Sequence, residues 1–128
     1  MIVVDSCGWV ERFAGSAHGE LYGAAMQDPG EMLVPAVCLT EVFRTLAREA
    51  GESAALVGAS VMRQARVVAL DAELALDAAR VGRALGLPLA DSIIYATAQA
   101  HGAEVWTHDE HFRGLPGVRF VEPPAPPD

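Results

Sequence analysis

The sequence predicts an α/β protein of three layers, α/β/α, with a central parallel sheet of about five strands and helices on both faces. Short continuous apolar runs recur along the chain, which is the pattern of strands buried on both sides. Between them stand longer segments whose apolar residues follow the helical period. A chain of 128 residues with 52% apolar side chains can bury one sizeable core. One domain is expected over residues 1–122, followed by a proline-rich tail over 123–128 that should be extended or disordered.

The elements follow in order. Met1 to Val4 is the first apolar run and breaks at Asp5. Short helices are expected around Gly8 to Phe13 and Ala17 to Gln27, closed by the turn signal Asp28-Pro29-Gly30. A strand from Glu31 to Val34 leads into a helix from about Val37 to Ala50, whose apolar face is Leu39, Val42, Phe43, Leu46 and Ala47. Gly51 stops that helix, and a second from about Glu52 to Gln64 pairs with it. Arg66 to Leu70 reads as the third strand. Asp71 caps a helix with the face Leu74, Ala75, Ala78, Val81 and Leu85, ended by Gly86. An alanine-rich helix carrying Asp91 and closed by Gly102 comes next, and strands at Glu104 to Thr107 and Val118 to Val121 complete the alternation.

Composition excludes several classes. No run approaches the roughly 20 apolar residues that span a bilayer, so no membrane association is expected. The first residues lack a basic start, so no signal peptide is expected and the protein should be cytoplasmic. Cys7 and Cys38 cannot form a zinc site by themselves and read as small buried hydrophobes in a reducing compartment. The net charge of −8 argues against a nucleic-acid partner unless a cation neutralises some of the acids. Every basic residue besides histidine is arginine, since lysine is absent.

Four acids stand at junctions between segments. Asp5 ends the first strand, Glu41 follows the second, Asp91 sits in the first turn of an almost wholly apolar helix, and Asp109 lies just past the strand ending at Thr107. In a parallel sheet the functional crevice lies at the carboxyl ends of the strands, and the four would gather there. Each acid alone is explained by a helix cap or an ion pair. Together they repel one another unless hard cations sit among them, and all-carboxylate ligation selects Mg²⁺ or Mn²⁺. One or two such ions suit phosphodiester hydrolysis, a reaction that needs acids and no protein nucleophile.

The runs Ile2-Val3-Val4-Asp5-Ser6, Leu39-Thr40-Glu41-Val42, Leu87-Pro88-Leu89-Ala90-Asp91-Ser92-Ile93-Ile94 and Thr107-His108-Asp109-Glu110-His111-Phe112, in that order, resemble a PIN domain. More narrowly they resemble the small toxin ribonucleases of VapBC-type toxin–antitoxin pairs, over Met1 to about Val121. The resemblance implies a PIN-like fold and a catalytic, metal-binding quartet of Asp5, Glu41, Asp91 and Asp109, with Asp5 and Asp91 the firmest ligands. Ser6 and Thr107 would support the ligands from behind. It further implies Mg²⁺- or Mn²⁺-dependent cleavage of RNA such as tRNA, a homodimer, and a cognate antitoxin that blocks the acidic site. Trp9, Phe13 and Tyr22 are candidates for lining the antitoxin groove, and core packing would explain them as well.

Other residues take simpler readings. Asp71 is a helix cap rather than a fifth ligand, and Glu73 and Asp77 lie on a solvated face. His108 and His111 bracket Asp109 without a clear third zinc ligand and read as surface loop positions. Arg44 and Arg48 share a helix face just beyond Glu41 and, with Arg12 and Arg113, are the candidate phosphate contacts, although ion pairing with Glu49 or Glu52 would explain the first two equally well. A response-regulator receiver and a phosphate-binding loop both need a lysine, and a haloacid-dehalogenase-like phosphatase needs an acid where Cys7 stands. An RNA-processing nuclease without a toxin role, or a PIN-fold binding module of low activity, remain as alternatives.

Overall fold

The five apolar runs pair into one sheet, parallel throughout, in the order β3-β2-β1-β4-β5: β1 (Ile2–Val4), β2 (Met32–Pro35), β3 (Arg66–Val68), β4 (Glu104–Thr107) and β5 (Val118–Phe120). This computed structural model describes residues 1–126, so Pro127 and Asp128 of the expected tail lie outside the described residues, while positions 123–126 carry no regular secondary structure. Val3 is in register with Leu33 on one side and Val105 on the other, and all three are fully buried. That burial on both faces explains the continuous apolar runs of β1, β2 and β4. At the β3 edge, Arg66 and Val67 are exposed.

Among the described residues six α-helices cover the sheet: α1 (Ser6–Ala14), α2 (Ala17–Glu20), α3 (Ala36–Ala50), α4 (Glu52–Met62), α5 (Ala72–Leu85) and α6 (Leu89–Ala100). Consecutive helices pack as the pairs α3 with α4 and α5 with α6. Val42 and Leu46 bury the expected face of α3, while Leu74 and Ala78 do so for α5. Asp71 accepts from the Leu74 N–H at 2.8 Å and is the cap that the sequence indicates. The α5–α6 crossing is tight because Gly82 has no side chain. A Cβ there would overlap the Ser92 side chain.

One element differs from expectation. The segment Ala17 to Gln27 is a four-residue helix followed by a 3-10 turn at Gly23–Met26. Gly19 packs against the backbone of α1, where a Cβ would overlap the Glu11 carbonyl, and Tyr22 turns inward until it is fully buried. Tertiary packing thus overrides a helical period that ran on longer. Tyr22 is consequently a core residue, and the groove expectation for it is corrected. Asp28-Pro29-Gly30 forms more than a turn: Asp28 accepts from the Gly30 N–H and caps a short 3-10 helix at Pro29–Glu31.

The strand order places β1 at the reversal point of the winding, with β2 on one side and β4 on the other. A crevice opens at such a point beyond the carboxyl ends of the strands. Asp5 follows β1 at that end, and Thr107 ends β4.

Candidate active site

Asp5 continues the line of β1, donating its N–H to the Trp106 carbonyl at 3.0 Å, and caps α1 by accepting from the Ser6 N–H at 2.8 Å. Glu41 lies in the second turn of α3, the helix that springs directly from β2. Asp91 occupies the first turn of α6, which starts at Pro88 without a side-chain cap, so the carboxylate sits where the helix dipole favours negative charge. Asp109 caps the 3-10 turn Glu110–Phe112, accepting from the His111 N–H at 2.9 Å.

Side-chain contacts join these four positions. Ser6 Oγ donates to Glu41 Oε1 at 2.7 Å, next to the backbone N–H that holds Asp5. Thr107 Oγ1 donates to Asp5 Oδ2 at 2.7 Å and accepts from the Asp109 N–H at 2.9 Å. His111 Nδ1 lies 2.7 Å from Asp109 Oδ1 and 3.4 Å from Asp91 Oδ2. The path Glu41, Ser6, Asp5, Thr107, Asp109, His111, Asp91 is therefore continuous. Cys7 Sγ adds weak contacts of 3.5 Å to Asp5 Oδ2 and Thr107 Oγ1.

The electrostatics follow from burial. Asp5 is 3% exposed, and burial with help from the Asp109 charge raises its pKa to about 6, against the hydrogen bonds from Thr107 and Ser6. Burial, then the charges of Asp109 and Asp5, push Asp91 up to about 7. Burial would raise Asp109 too, but hydrogen bonds from the His111 N–H and ring and from Asp91 outweigh it and hold the group below the ordinary carboxylate range. Burial and the Asp5 charge push the Cys7 thiol up to about 12, so it is no thiolate at neutral pH. Among the described residues no arginine pairs with any of the four acids, and His111 alone of the basic side chains reaches them. Buried acids that repel one another and lack an arginine fit a divalent cation: Asp91, Asp109 and His111 offer ligand atoms within 4.8 Å of one another.

The other sequence candidates separate by position. Arg12 pairs with Glu20, and Arg48 with its neighbour Glu49. Arg113 is held by Glu110 at 2.7 Å and Glu122 at 2.5 Å and lies over the Phe120 ring. Arg44 is exposed one turn beyond Glu41 and makes no ion pair among the described residues. The histidines keep surface positions, His108 half-buried and His111 exposed, but each is engaged there. His108 Nδ1 meets the Tyr22 hydroxyl at 2.6 Å and its ring lies tilted against His18, 3.9 Å between centroids, while His111 joins the acids. Spacing at 108 and 111 carried no sign of that division.

The sequence pattern of the PIN domain matches residues 2–118. The chain belongs to the PIN domain family. Among solved structures this PIN domain is similar to a toxin–antitoxin complex from Klebsiella pneumoniae, at 22% identity and a TM-score of 0.78, covering 93% of this chain and 96% of that one. VapC20 of Mycobacterium tuberculosis, a Sarcin-Ricin loop cleaving toxin, is similar at 23% identity and a TM-score of 0.77, over 92% of this chain and 97% of that one. DNA-bound VapBC from Salmonella typhimurium gives 18% identity and a TM-score of 0.68, over 93% and 95% of the two chains. At these identities the likeness establishes the PIN fold. No curated protein matches the sequence. No helix among the described residues is long and apolar enough to cross a membrane.

Proposed function

We propose that this PIN domain protein is an endoribonuclease, dependent on Mg²⁺ or Mn²⁺, that acts as the toxin of a toxin–antitoxin pair and is held inactive by its cognate antitoxin. The observation that carries the reading is that Asp5, Asp91 and Asp109, from three separate junctions, stand near enough to feel one another's charge, with Glu41 joined through Ser6 and, among the described residues, no arginine paired with any of them. Asp5, Asp91 and Asp109 hold the ion or ions, and Glu41, tied to Asp5 through Ser6, orients water at the rim of the site. A bound ion supplies a water of lowered pKa and stabilises charge developing on phosphodiester oxygens. Ser6 and Thr107 fix the carboxylates in place, and Arg44 reaches toward the RNA backbone from the next turn of α3.

The toxin part rests on the fold shared with VapBC proteins. It is supported by an apolar cleft of about 300 Å³, lined by Trp9, Phe13, Met26, Met32 and Val61 with Arg12 beside them, that suits an antitoxin segment. Leu76, Leu85 and Leu89, exposed on α5 and at the start of α6, supply apolar surface for a homodimer. The substrate is a structured RNA such as tRNA, met in the cytoplasm.

The test compares wild type with Asp5→Asn and Asp91→Asn, measuring cleavage of purified RNA with Mg²⁺, Mn²⁺ or chelator and growth on induction without a partner. Each substitution should cost more than the roughly 10–100-fold lost with an outer-sphere partner, and should relieve growth arrest. Full cleavage by Asp91→Asn, or by wild type in chelator, refutes the metal-dependent mechanism. Active cleavage with no growth effect leaves an RNA-processing nuclease.

A further inference from the structure

His111 turns toward two of the four acids at once, Asp109 and Asp91. We infer that His111 is an inner ligand of the metal centre through Nδ1, and that it tilts the site toward Mn²⁺ over Mg²⁺. The inference rests on the metal-dependent reading above and specifies which ion the site prefers.

The geometry comes first. A histidine that only tightened its own turn would be satisfied at Asp109, whose Oδ1 already accepts the His111 backbone N–H at 2.9 Å. Nδ1 lies 2.7 Å from that same Oδ1, within hydrogen-bond reach, and in addition approaches Asp91 Oδ2 on a different element, at 3.4 Å. Adjacent ligands of one octahedral ion with bonds of about 2.1 Å lie roughly 3 Å apart, and the two separations bracket that value. The ring is 57% exposed while Asp91 is 12% exposed, so the histidine closes the open side of a site walled by carboxylates. His108 is unsuited to the role, since its Nδ1 is engaged by Tyr22 and its ring is packed against His18.

The chemistry sets the selectivity. Mg²⁺ and Mn²⁺ both favour oxygen ligands, but Mg²⁺ gives up its waters reluctantly, whereas Mn²⁺ begins the first-row series along which affinity for nitrogen ligands rises. One nitrogen among three or four carboxylates therefore adds affinity for Mn²⁺ and little for Mg²⁺. Ligation uses the Nδ1 lone pair, so the neutral ring carries its proton on Nε2. The competing arrangement keeps His111 outside the coordination sphere, donating to Asp109.

Pulsed electron paramagnetic resonance of the full-length protein loaded with Mn²⁺ separates the two, because a directly bound nitrogen couples to the manganese spin. Wild type should give ¹⁴N modulation that His111→Ala lacks. Calorimetric titration should find Mn²⁺ binding weakened about tenfold or more in His111→Ala and Mg²⁺ binding changed by less than about threefold. Bound Mn²⁺ without nitrogen coupling, equal weakening of both ions, or no Mn²⁺ binding by wild type overturns the inference. Asp91→Asn distinguishes the underlying reading. If that variant keeps wild-type Mn²⁺ affinity and nitrogen coupling, His111 is a ligand while the role given to Asp91 is wrong.

Discussion

A buried threonine hydroxyl can donate once and accept, and Thr107 uses both capacities on the site, giving its proton to Asp5 Oδ2 and receiving the Asp109 N–H. Thr107→Val keeps the shape and removes both bonds, leaving a buried carboxylate oxygen and a backbone donor short of a partner. Destabilisation of about 1–3 kcal/mol is expected by chemical denaturation, with metal affinity falling roughly 10–100-fold by calorimetry. An unchanged metal affinity would mean that the bond merely packs β4 against β1. At this scale the sequence was informative where chemistry clashed with context. Asp91 stood out because a carboxylate among Leu89, Ala90, Ile93 and Ile94 needs a reason. His111 was illegible, because the direction of a side chain on a 3-10 turn depends on where α6 brings Asp91. Arg113 was equally illegible, being held by Glu122 from beyond β5.

Asp91 is placed by its helix, and α6 is placed by its crossing with α5 at Gly82 and Ser92. Gly82→Ala should force the helices apart and cost about 1–3 kcal/mol, the range for overpacking, read as a lowered denaturation midpoint. A stability equal to wild type would show that Ser92 can move aside freely, although its Oγ is tied to the Pro88 carbonyl at 2.8 Å. The strands were legible because burial on both faces leaves a plain apolar signature. Helices with one apolar face and a glycine stop, such as α3 and α5, were legible too. The break after α2 was not, since it depends on Gly19 meeting the backbone of α1 and on Tyr22 finding His108, both contacts between segments. The junction acids could be placed at one sheet edge from the alternation alone, but their linkage through Ser6 and Thr107 needed the tertiary structure.

For the molecule as a whole, the site acts as a charge that folding must accommodate. Burial raises Asp5 from 3.8 to about 6 and Asp91 from 3.8 to about 7, so the folded chain keeps these protons after the unfolded chain has released them. The stability they lend is fully present below the unfolded value and is lost as pH rises through the folded values, between about 4 and 7. His108, whose pKa is lowered chiefly by burial, opposes this over part of the window, as does Asp109 at lower pH. Comparison with Asp5→Asn isolates the carboxylate contribution. Calorimetry of chelator-treated protein should find a melting temperature that falls more steeply across this window in wild type than in Asp5→Asn. Added Mn²⁺ should reverse the trend in wild type, because metal displaces protons and its affinity climbs with pH. Identical profiles for the two chelated proteins would contradict the placement of an uncompensated charge at Asp5. The net charge of −8 is on this account partly a property of the metal-free form.

The bond between Thr107 and Asp5 also has a consequence in time. The two residues are separated by nearly the whole chain, so a ribosome releases Asp5 and Glu41 well before, and Asp91 only shortly before, the strand that locks the first of them in place. Until β4 emerges and docks beside β1, the nascent polypeptide carries its acids without the scaffold that aligns them. On the function proposed above, an RNA-cutting toxin would thereby be kept dormant on the machine that makes it, and an antitoxin would need to act only once synthesis is nearly done.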